Sequence, residues 1–305
     1  MGKGKNSMKI RRILVAAAVV LGTAALVLSQ QAPPTPGTAP NSGRGRGGGG
    51  FRQPDPIDFS DHTGWTQMFD GSTLNGWDGD FSYWRVENGA IVTESTCEKP
   101  TGTIYLVWKG GEAADFEMKL EMKGEGALVN SGVQYRGAIL PPRPAATPPA
   151  GAPGGRGRGP QGPCPSGQPR GTPPSRESQA KWDMLGAQFD FDGQNRYTGQ
   201  YYEQATGRGI IAWRGQVVRT EEGKSPRLLA TLGDKDELGG YVKIDDWNQL
   251  HIIARGNNMT HIVNGHVMSV LIDDDPTKFR KSGIIGFEIE GTGKINIRNI
   301  WLKKL

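Results

Sequence analysis

Residues 130–137 read Asn-Ser-Gly-Val-Gln-Tyr-Arg-Gly, and the rest of the chain is read outward from them. Side chains of a strand alternate between its two faces. Val133 and Tyr135 therefore face one way, and Asn130, Gly132, Gln134 and Arg136 the other. One face is apolar and suits a core. The other is a row of small and hydrogen-bonding groups that ends in an arginine. Antiparallel strands commonly keep one wet face. An amide and a guanidinium set between glycines also suit the floor of a binding cleft.

The flanking sequence continues in strands. Phe116, Met118, Leu120 and Met122 alternate with Glu117, Lys119, Glu121 and Lys123, the pattern of a half-buried strand. Residues 84–92 form a hairpin turning at Asn88-Gly89, and residues 259–270 another turning at Asn264-Gly265. Residues 247–255, 284–290 and 295–302 also alternate, and Gly124, Gly126, Gly291 and Gly293 punctuate them. No stretch repeats apolar residues at helical spacing over three turns. Many short strands with closely spaced turns predict an all-β sandwich or jelly roll.

Not all 305 residues fit that pattern. Lys3, Lys5, Lys9, Arg11 and Arg12 precede an apolar run over 13–29, the form of a secretory signal, here 1–29. The chain is expected to be exported to the periplasm or the medium, with membrane attachment only if this segment stays uncleaved. Residues 30–56 and 141–175 are Pro- and Gly-rich with almost no large apolar side chain, and read as a disordered tether and a disordered insertion. The folded domain is then 57–305, with the insertion leaving from a surface loop. Residues 1–50 and 140–175 hold eleven of the 36 basic residues and no acidic one, which leaves 25 against 31 acidic. The remaining domain is net acidic, and a basic surface for nucleic acid is excluded. Cys97 and Cys164 are the only cysteines. Since Cys164 lies in the insertion, a structural disulfide is not expected.

A second strand shares the habit of the first. Leu185, Ala187, Phe189 and Phe191 make one face, and Gln188, Asp190 and Asp192 the other. Two carboxylates and an amide on one pleat face need water, a cation or an arginine. Tyr201 and Glu203 share a face of the strand that follows, and Gly207-Arg208-Gly209 comes next. If the three strands are neighbours, Gln134, Arg136, Asp190 and Glu203 are expected to converge on one concave surface. Of the histidines, His261 and His266 flank the Asn-Gly turn and read as exposed. His251 is either a cleft residue or a half-exposed sheet residue. Glu288 and Arg298 have the same parity and can pair across strands.

The order of these marks resembles the 3-keto-disaccharide hydrolase domain family. The matching marks are Phe69-Asp70-Gly71, Leu74-Asn75-Gly76-Trp77, Trp84, Glu87-Asn88-Gly89, Asp115-Phe116-Glu117, Asn130-Ser131-Gly132, Arg136-Gly137, Trp247-Asn248, Asn264-Gly265, residues 283–287 and Arg298-Asn299-Ile300. Two departures stand out. Gly186-Ala187-Gln188-Phe189-Asp190 lacks a glutamate that the commoner pattern carries, and Glu288 stands where a glutamine is customary. The resemblance implies a concanavalin A-like jelly roll acting on oxidised sugars.

A ketone at sugar C3 acidifies the C2 proton. Its removal gives an enolate that expels the C1 oxygen, and water then adds. This needs a general base, a positive or hydrogen-bonding group at the enolate oxygen, and a proton donor for the leaving group. Glu203 and Asp190 are the candidate bases, with Arg136 at the enolate. A divalent metal is the second way to hold an enolate, with Asp190, Asp192 and Glu203 as candidate ligands. Asn130, Gln134, Gln188, Tyr201, Arg208, His251 and Glu288 are candidate substrate-binding residues. Trp84, Trp108, Trp182 and Trp213 are candidate stacking platforms. Direct hydrolysis by two carboxyl groups is a related route. A non-catalytic carbohydrate-binding module is the competing class, since a jelly roll serves either.

Overall fold

The computed structural model describes residues 54–55, 57–141, 164 and 169–305. The expected signal segment and most of the tether and insertion lie outside the described residues. Residues from Asp55 to Leu305 form one compact unit. Its strands are β1 (Thr66–Gln67), β2 (Trp77–Gly79), β3 (Trp84–Glu87), β4 (Ala90–Ser95), β5 (Ile104–Trp108), β6 (Phe116–Ile139), β7 (Met184–Asp192), β8 (Tyr201–Gln204), β9 (Gly209–Ala212), β10 (Gln216–Glu221), β11 (Arg227–Thr231), β12 (Asn248–Arg255), β13 (Asn258–Val263), β14 (His266–Asp274) and β15 (Ile284–Lys304). Two short helices, α1 (Arg176–Gln179) and α2 (Lys235–Gly239), sit in connections.

The frame is the antiparallel pair β6 and β15, which run together from Ile284↔Gly137 to Lys304↔Phe116. Strands of 24 and 21 residues are too long to stay in one flat layer. They bend midway, and the bend divides their partners into two sheets. The first half of β6 pairs with β12, and the second half of β15 with β4 and β1. Sheet I thus runs β3-β4-β15-β6-β12-β13-β14-β10-β11. The second half of β6 pairs with β7, and the first half of β15 with β5. Sheet II thus runs β2-β5-β15-β6-β7-β8-β9. At the crossing Gly126 has φ +103 and Gly293 φ +144, and a Cβ on Gly293 would meet the Glu125 carbonyl oxygen at 2.5 Å. The bend therefore needs glycine there.

The two sheets face each other across the core. Sheet II contributes Leu106, Val133, Phe189, Phe191 and Phe287, and sheet I contributes Met118, Leu120, Leu250, Ile252, Ile295 and Ile297. The alternation in Phe116–Lys123 meets this directly: its apolar members are fully buried. Both Asn-Gly hairpins form where expected, with positive φ at Asn88, Gly89, Asn264 and Gly265. The architecture is an all-β jelly-roll sandwich.

Three sequence expectations are corrected. Cys97 and Cys164 form a disulfide, their Cα atoms 5.7 Å apart. The end of the insertion is tied down with it: Gly171 N–H donates to the Cys97 carbonyl at 2.8 Å, and Ser175 caps α1 by accepting from Ser178 N–H. His261 is not exposed but fully buried between the sheets. Its Nδ1 faces the Gln200 carbonyl at 3.1 Å, so that nitrogen carries the proton and Nε2 accepts from the Tyr135 hydroxyl at 2.8 Å. Finally, Arg298 pairs with Glu121 at 2.7 Å on sheet I, away from Glu288 on sheet II.

Candidate functional site

The outer face of sheet II carries the polar row anticipated from residues 130–137. The register sets Gln188 opposite Gln134, Asp190 opposite Gly132 and Asp192 opposite Asn130. On the other side of β6, Glu288 lies opposite Gly132 and Glu290 opposite Asn130, and Tyr105 lies opposite Glu288. Gln188 is the hub. Its Nε2 donates to Glu288 Oε2 at 2.6 Å, and its Oε1 accepts from Gln134 at 3.3 Å. It reaches Glu288 by lying over Gly132, where a Cβ would meet Gln188 Nε2 at 2.3 Å. The Tyr105 hydroxyl donates to Glu288 Oε1 at 3.0 Å and accepts from Gln204 at 2.9 Å. Asp190 accepts from Gln200 at 2.5 Å, and Glu290 from Asn130 at 3.4 Å.

Among the described residues no cation pairs with Glu288, Asp190 or Glu290 on this face, whereas Arg196 lies 3.6 Å from Asp192 at its end. Burial pushes Glu288 well above the usual carboxylate range, and the charges of Glu290 and Asp190 add to it. Burial does the same to Asp190, with Asp192 and Glu290 adding to it. Glu290 is raised by burial as well. Tyr105 is pushed up by burial and by Glu288, so it remains a neutral donor. Carboxyl groups that repel each other in a poorly solvated site share protons, leaving some as acids and some as bases. Gln134 Oε1, Asn130 Oδ1 and Trp182 Nε1 are buried without a hydrogen-bond partner among the described residues. Such atoms suit sugar hydroxyls, which both donate and accept.

Arg136 and Glu203 do not face this row, which corrects the expected convergence. Between Tyr135 and Ala138 the register slips, with one extra residue on β6. Arg136 takes φ +46 there, and its side chain leaves the outer face. It donates to the Ala114 carbonyl at 2.9 Å, the Gly256 carbonyl at 2.7 Å and Asp115 at 3.1 Å. Glu203 is set opposite Ala187, whose side chain faces the core. Tyr201 and Arg208 go with it. Arg208 bridges Glu203 at 2.9 Å and Asp273 at 2.7 Å, and Tyr201 donates to Glu203 at 3.3 Å. The cavity among Arg136, Tyr201, Glu203 and Asp273 is about 10 Å³, far too small for a sugar ring.

The remaining candidates separate too. His251 lies on the outer face of sheet I, 3.0 Å from Glu117 and edge-on to Trp65. Asp192 caps its own turn, accepting from the N–H groups of Arg196, Tyr197 and Thr198. Asp190, Asp192 and Glu203 therefore do not converge on one ion, and among the described residues no three His, Cys, Asp or Glu side chains gather as a metal would require. Trp84 is in the core and Trp213 is exposed. Trp182 packs on the outer face of sheet II with Tyr105, Val107 and Met184. Sequence parity alone did not single out Tyr105, Gln204 or Glu290. Each reaches the row through cross-strand register.

A family model of 3-keto-alpha-glucoside-1,2-lyase-like domains matches residues 64–303. No curated protein matches the chain. Among solved structures, the chain is similar to a Parabacteroides distasonis protein described as a glycosyl hydrolase, at 17% identity and TM-score 0.42, over 80% of this chain and 94% of that one. A carbohydrate-binding module from Bacillus subtilis matches at 9% identity and TM-score 0.43, over 76% and 98%. A Bacillus subtilis protein with a galectin-like fold matches at 12% identity and TM-score 0.44, over 80% and 91%.

Proposed function

The chain belongs to the 3-keto-alpha-glucoside-1,2-lyase-like family, and from that premise we propose that it cleaves 3-keto-glycosides at the polar row on the outer face of sheet II. A carbohydrate-related function follows from the membership itself. The observation that carries the finer reading is Glu288, buried among Tyr105, Gln188 and two further carboxyl groups on a face with unpartnered polar atoms. An ionised member of the Glu288–Asp190–Glu290 set takes the C2 proton. Electrons pass to the C3 oxygen, where the Tyr105 hydroxyl and the glutamine amides donate hydrogen bonds. The C1–O bond breaks, and a protonated member of the set supplies the leaving oxygen with its proton. Water adds to the resulting double bond. Arg136 and Glu203 stay outside this scheme because they point into the sandwich.

The experiment is incubation with a 3-keto-glycoside and its unoxidised parent. Turnover of the oxidised substrate alone is expected, since only the ketone acidifies C2. Equal rates on both would replace elimination by two-carboxyl hydrolysis. Binding with no turnover would identify a non-catalytic module. Export belongs to the same proposal. The basic residues before the apolar run support it, and the Cys97–Cys164 disulfide suits an oxidising compartment. Recovery of the mature chain only from cytosol would reject export.

A further inference from the structure

A depression of about 440 Å³ opens at the turn that follows β7. Ala127, Gly193, Gln194, Arg196, Ile244 and Asp245 line it, and none of them belongs to the polar row. Three segments build it: β6 at 126–127, the turn at 193–196, and the loop at 243–247 that leads into β12. Asp192, the residue before Gly193, lies opposite Asn130, so the depression begins where the row ends. Its size falls within the roughly 300–1,000 Å³ of small-molecule sites.

Its walls are fixed by their own hydrogen bonds. A Cβ on Gly193 would meet the Gly126 carbonyl oxygen at 2.1 Å, so the turn sits directly on β6. Arg214 donates to the side-chain and backbone oxygens of Asn195 at 2.6 and 3.1 Å, and Asn195 Nδ2 donates to the Gly239 carbonyl at 2.8 Å. On the facing wall, the fully buried Asn248 accepts from Lys243 N–H at 2.8 Å. It also donates to the Lys243 and Asp246 carbonyls at 2.8 and 3.0 Å. Held in this way, Asp245 takes φ +53 and Ile244 is left 52% exposed. A non-glycine residue at such a φ is strained, and residues of this kind gather at ligand sites. Gly126 N–H donates to Asp245 Oδ1 at 3.4 Å, which joins the loop to β6.

The side chains that face the depression keep hydrogen-bonding capacity to spare. Arg196 lies over the Tyr197 ring and reaches Asp192 only at 3.6 Å, which leaves guanidinium donors for a ligand. Gln194 makes no side-chain hydrogen bond to another described residue. One guanidinium, one carboxylate and one amide thus surround the apolar surface of Ala127 and Ile244. The two charges offset each other, so a charged ligand would meet repulsion with its attraction. Hydroxyl groups donate and accept together, and the C–H face of a sugar ring covers an apolar side chain. We propose that this depression is a second carbohydrate site. It holds one or two neutral, unoxidised sugar units by their hydroxyl groups, needs no C3 ketone, and retains glycan beside the row.

The test is an amide NMR titration of the full-length chain with neutral disaccharides of glucose, galactose and mannose, and with glucuronic acid as the charged comparison. Wild type should show saturable shifts at Ala127, Gly193, Gln194, Ile244 and Asp245 with a neutral disaccharide. Arg196→Ala and Ile244→Ala should each weaken that binding roughly 10-fold, the worth of one hydrogen bond or one apolar contact. Ile244→Ala should leave the melting temperature unchanged, because the side chain is half out of the protein. Saturable shifts with none of the disaccharides would overturn the site. Shifts confined to Gln134, Gln188 and Glu288 would place all sugar binding on the row and overturn it too. Binding of glucuronic acid alone would overturn the neutral ligand. A folded Ile244→Ala that binds as tightly as wild type would remove the depression from sugar binding. Cleavage at the row is read separately, by turnover of a 3-keto-glycoside, and none of these results bears on it.

Discussion

Glu203 and Glu288 are both buried glutamates, and their partners give them different work. Glu203 sits against Arg208, 2.9 Å away, in a network that ties β8 to Asp273 of β14. Glu288 meets only neutral donors and other carboxyl groups. A buried ion pair positions strands. A buried carboxyl group without a cation is free to hold or give a proton. Gly132 is the second decisive residue, because the side chain it lacks leaves the path by which Gln188 reaches Glu288. Gly132→Ala is expected to keep the fold and to push Gln188 aside. Loss of one hydrogen bond to a charged or buried group is worth roughly 1.5–3 kcal/mol, so ligand affinity should fall about 10- to 100-fold. Calorimetric titration with a non-cleaved sugar analogue checks this, and unchanged affinity would remove Gln188 from the site.

At the level of elements, the strand pairing decides which side chains meet. The alternation of Phe116–Lys123, the Asn-Gly hairpins and the polar face of β7 were all legible in the sequence, because each depends on neighbours along the chain. The placement of Arg136 was not. A single extra residue after Tyr135 reverses its face, and nothing local in Gln-Tyr-Arg-Gly announces a bulge. Glu203 was misplaced for a related reason. Its parity relative to Tyr201 was right, but its register against Ala187 is a tertiary fact. The disulfide was missed because composition describes a segment's average, and one cysteine is enough to fasten a Pro/Gly-rich stretch. That staple closes a loop with a sequence separation of 67. Chain-entropy arguments put such a cross-link on the order of 4 kcal/mol. Denaturant unfolding of Cys97→Ser/Cys164→Ser is expected to show a loss of about that size. A loss near zero would show that residues 169–175 are held without it.

For the molecule as a whole, a titratable group buried between the sheets and those on the outer face of sheet II pull stability in opposite directions with pH. Burial between the sheets lowers His261 to about 3. The folded state then refuses a proton that the unfolded chain accepts, so stability is lost as pH falls below about 6.5, by up to about 1.4 kcal/mol per unit. Glu288 and Asp190 are raised, so the folded state keeps protons that the unfolded chain releases. Their contribution is lost as pH rises above the ordinary carboxylate value of about 4.5. Melting temperatures across pH 4–8 should therefore show a broad maximum. Glu288→Gln is expected to remove the part of the decline above about pH 4.5 that Glu288 causes and to leave the profile below that pH unchanged. A Glu288→Gln profile that parallels wild type throughout would mean that Glu288 is ionised in the fold.

The central claim is that chemistry belongs to the outer face of sheet II and that the Glu203 network is structural. The most direct measurement is single-turnover cleavage of a 3-keto-glycoside by Glu288→Gln and Glu203→Gln, each checked for folding and for ligand binding. A general acid–base group contributes roughly 100- to 10,000-fold. Glu288→Gln should lose turnover by about that factor while still binding ligand, and Glu203→Gln should lose stability but keep the rate of wild type. Full activity in Glu288→Gln, or its loss in a folded Glu203→Gln, would contradict the assignment.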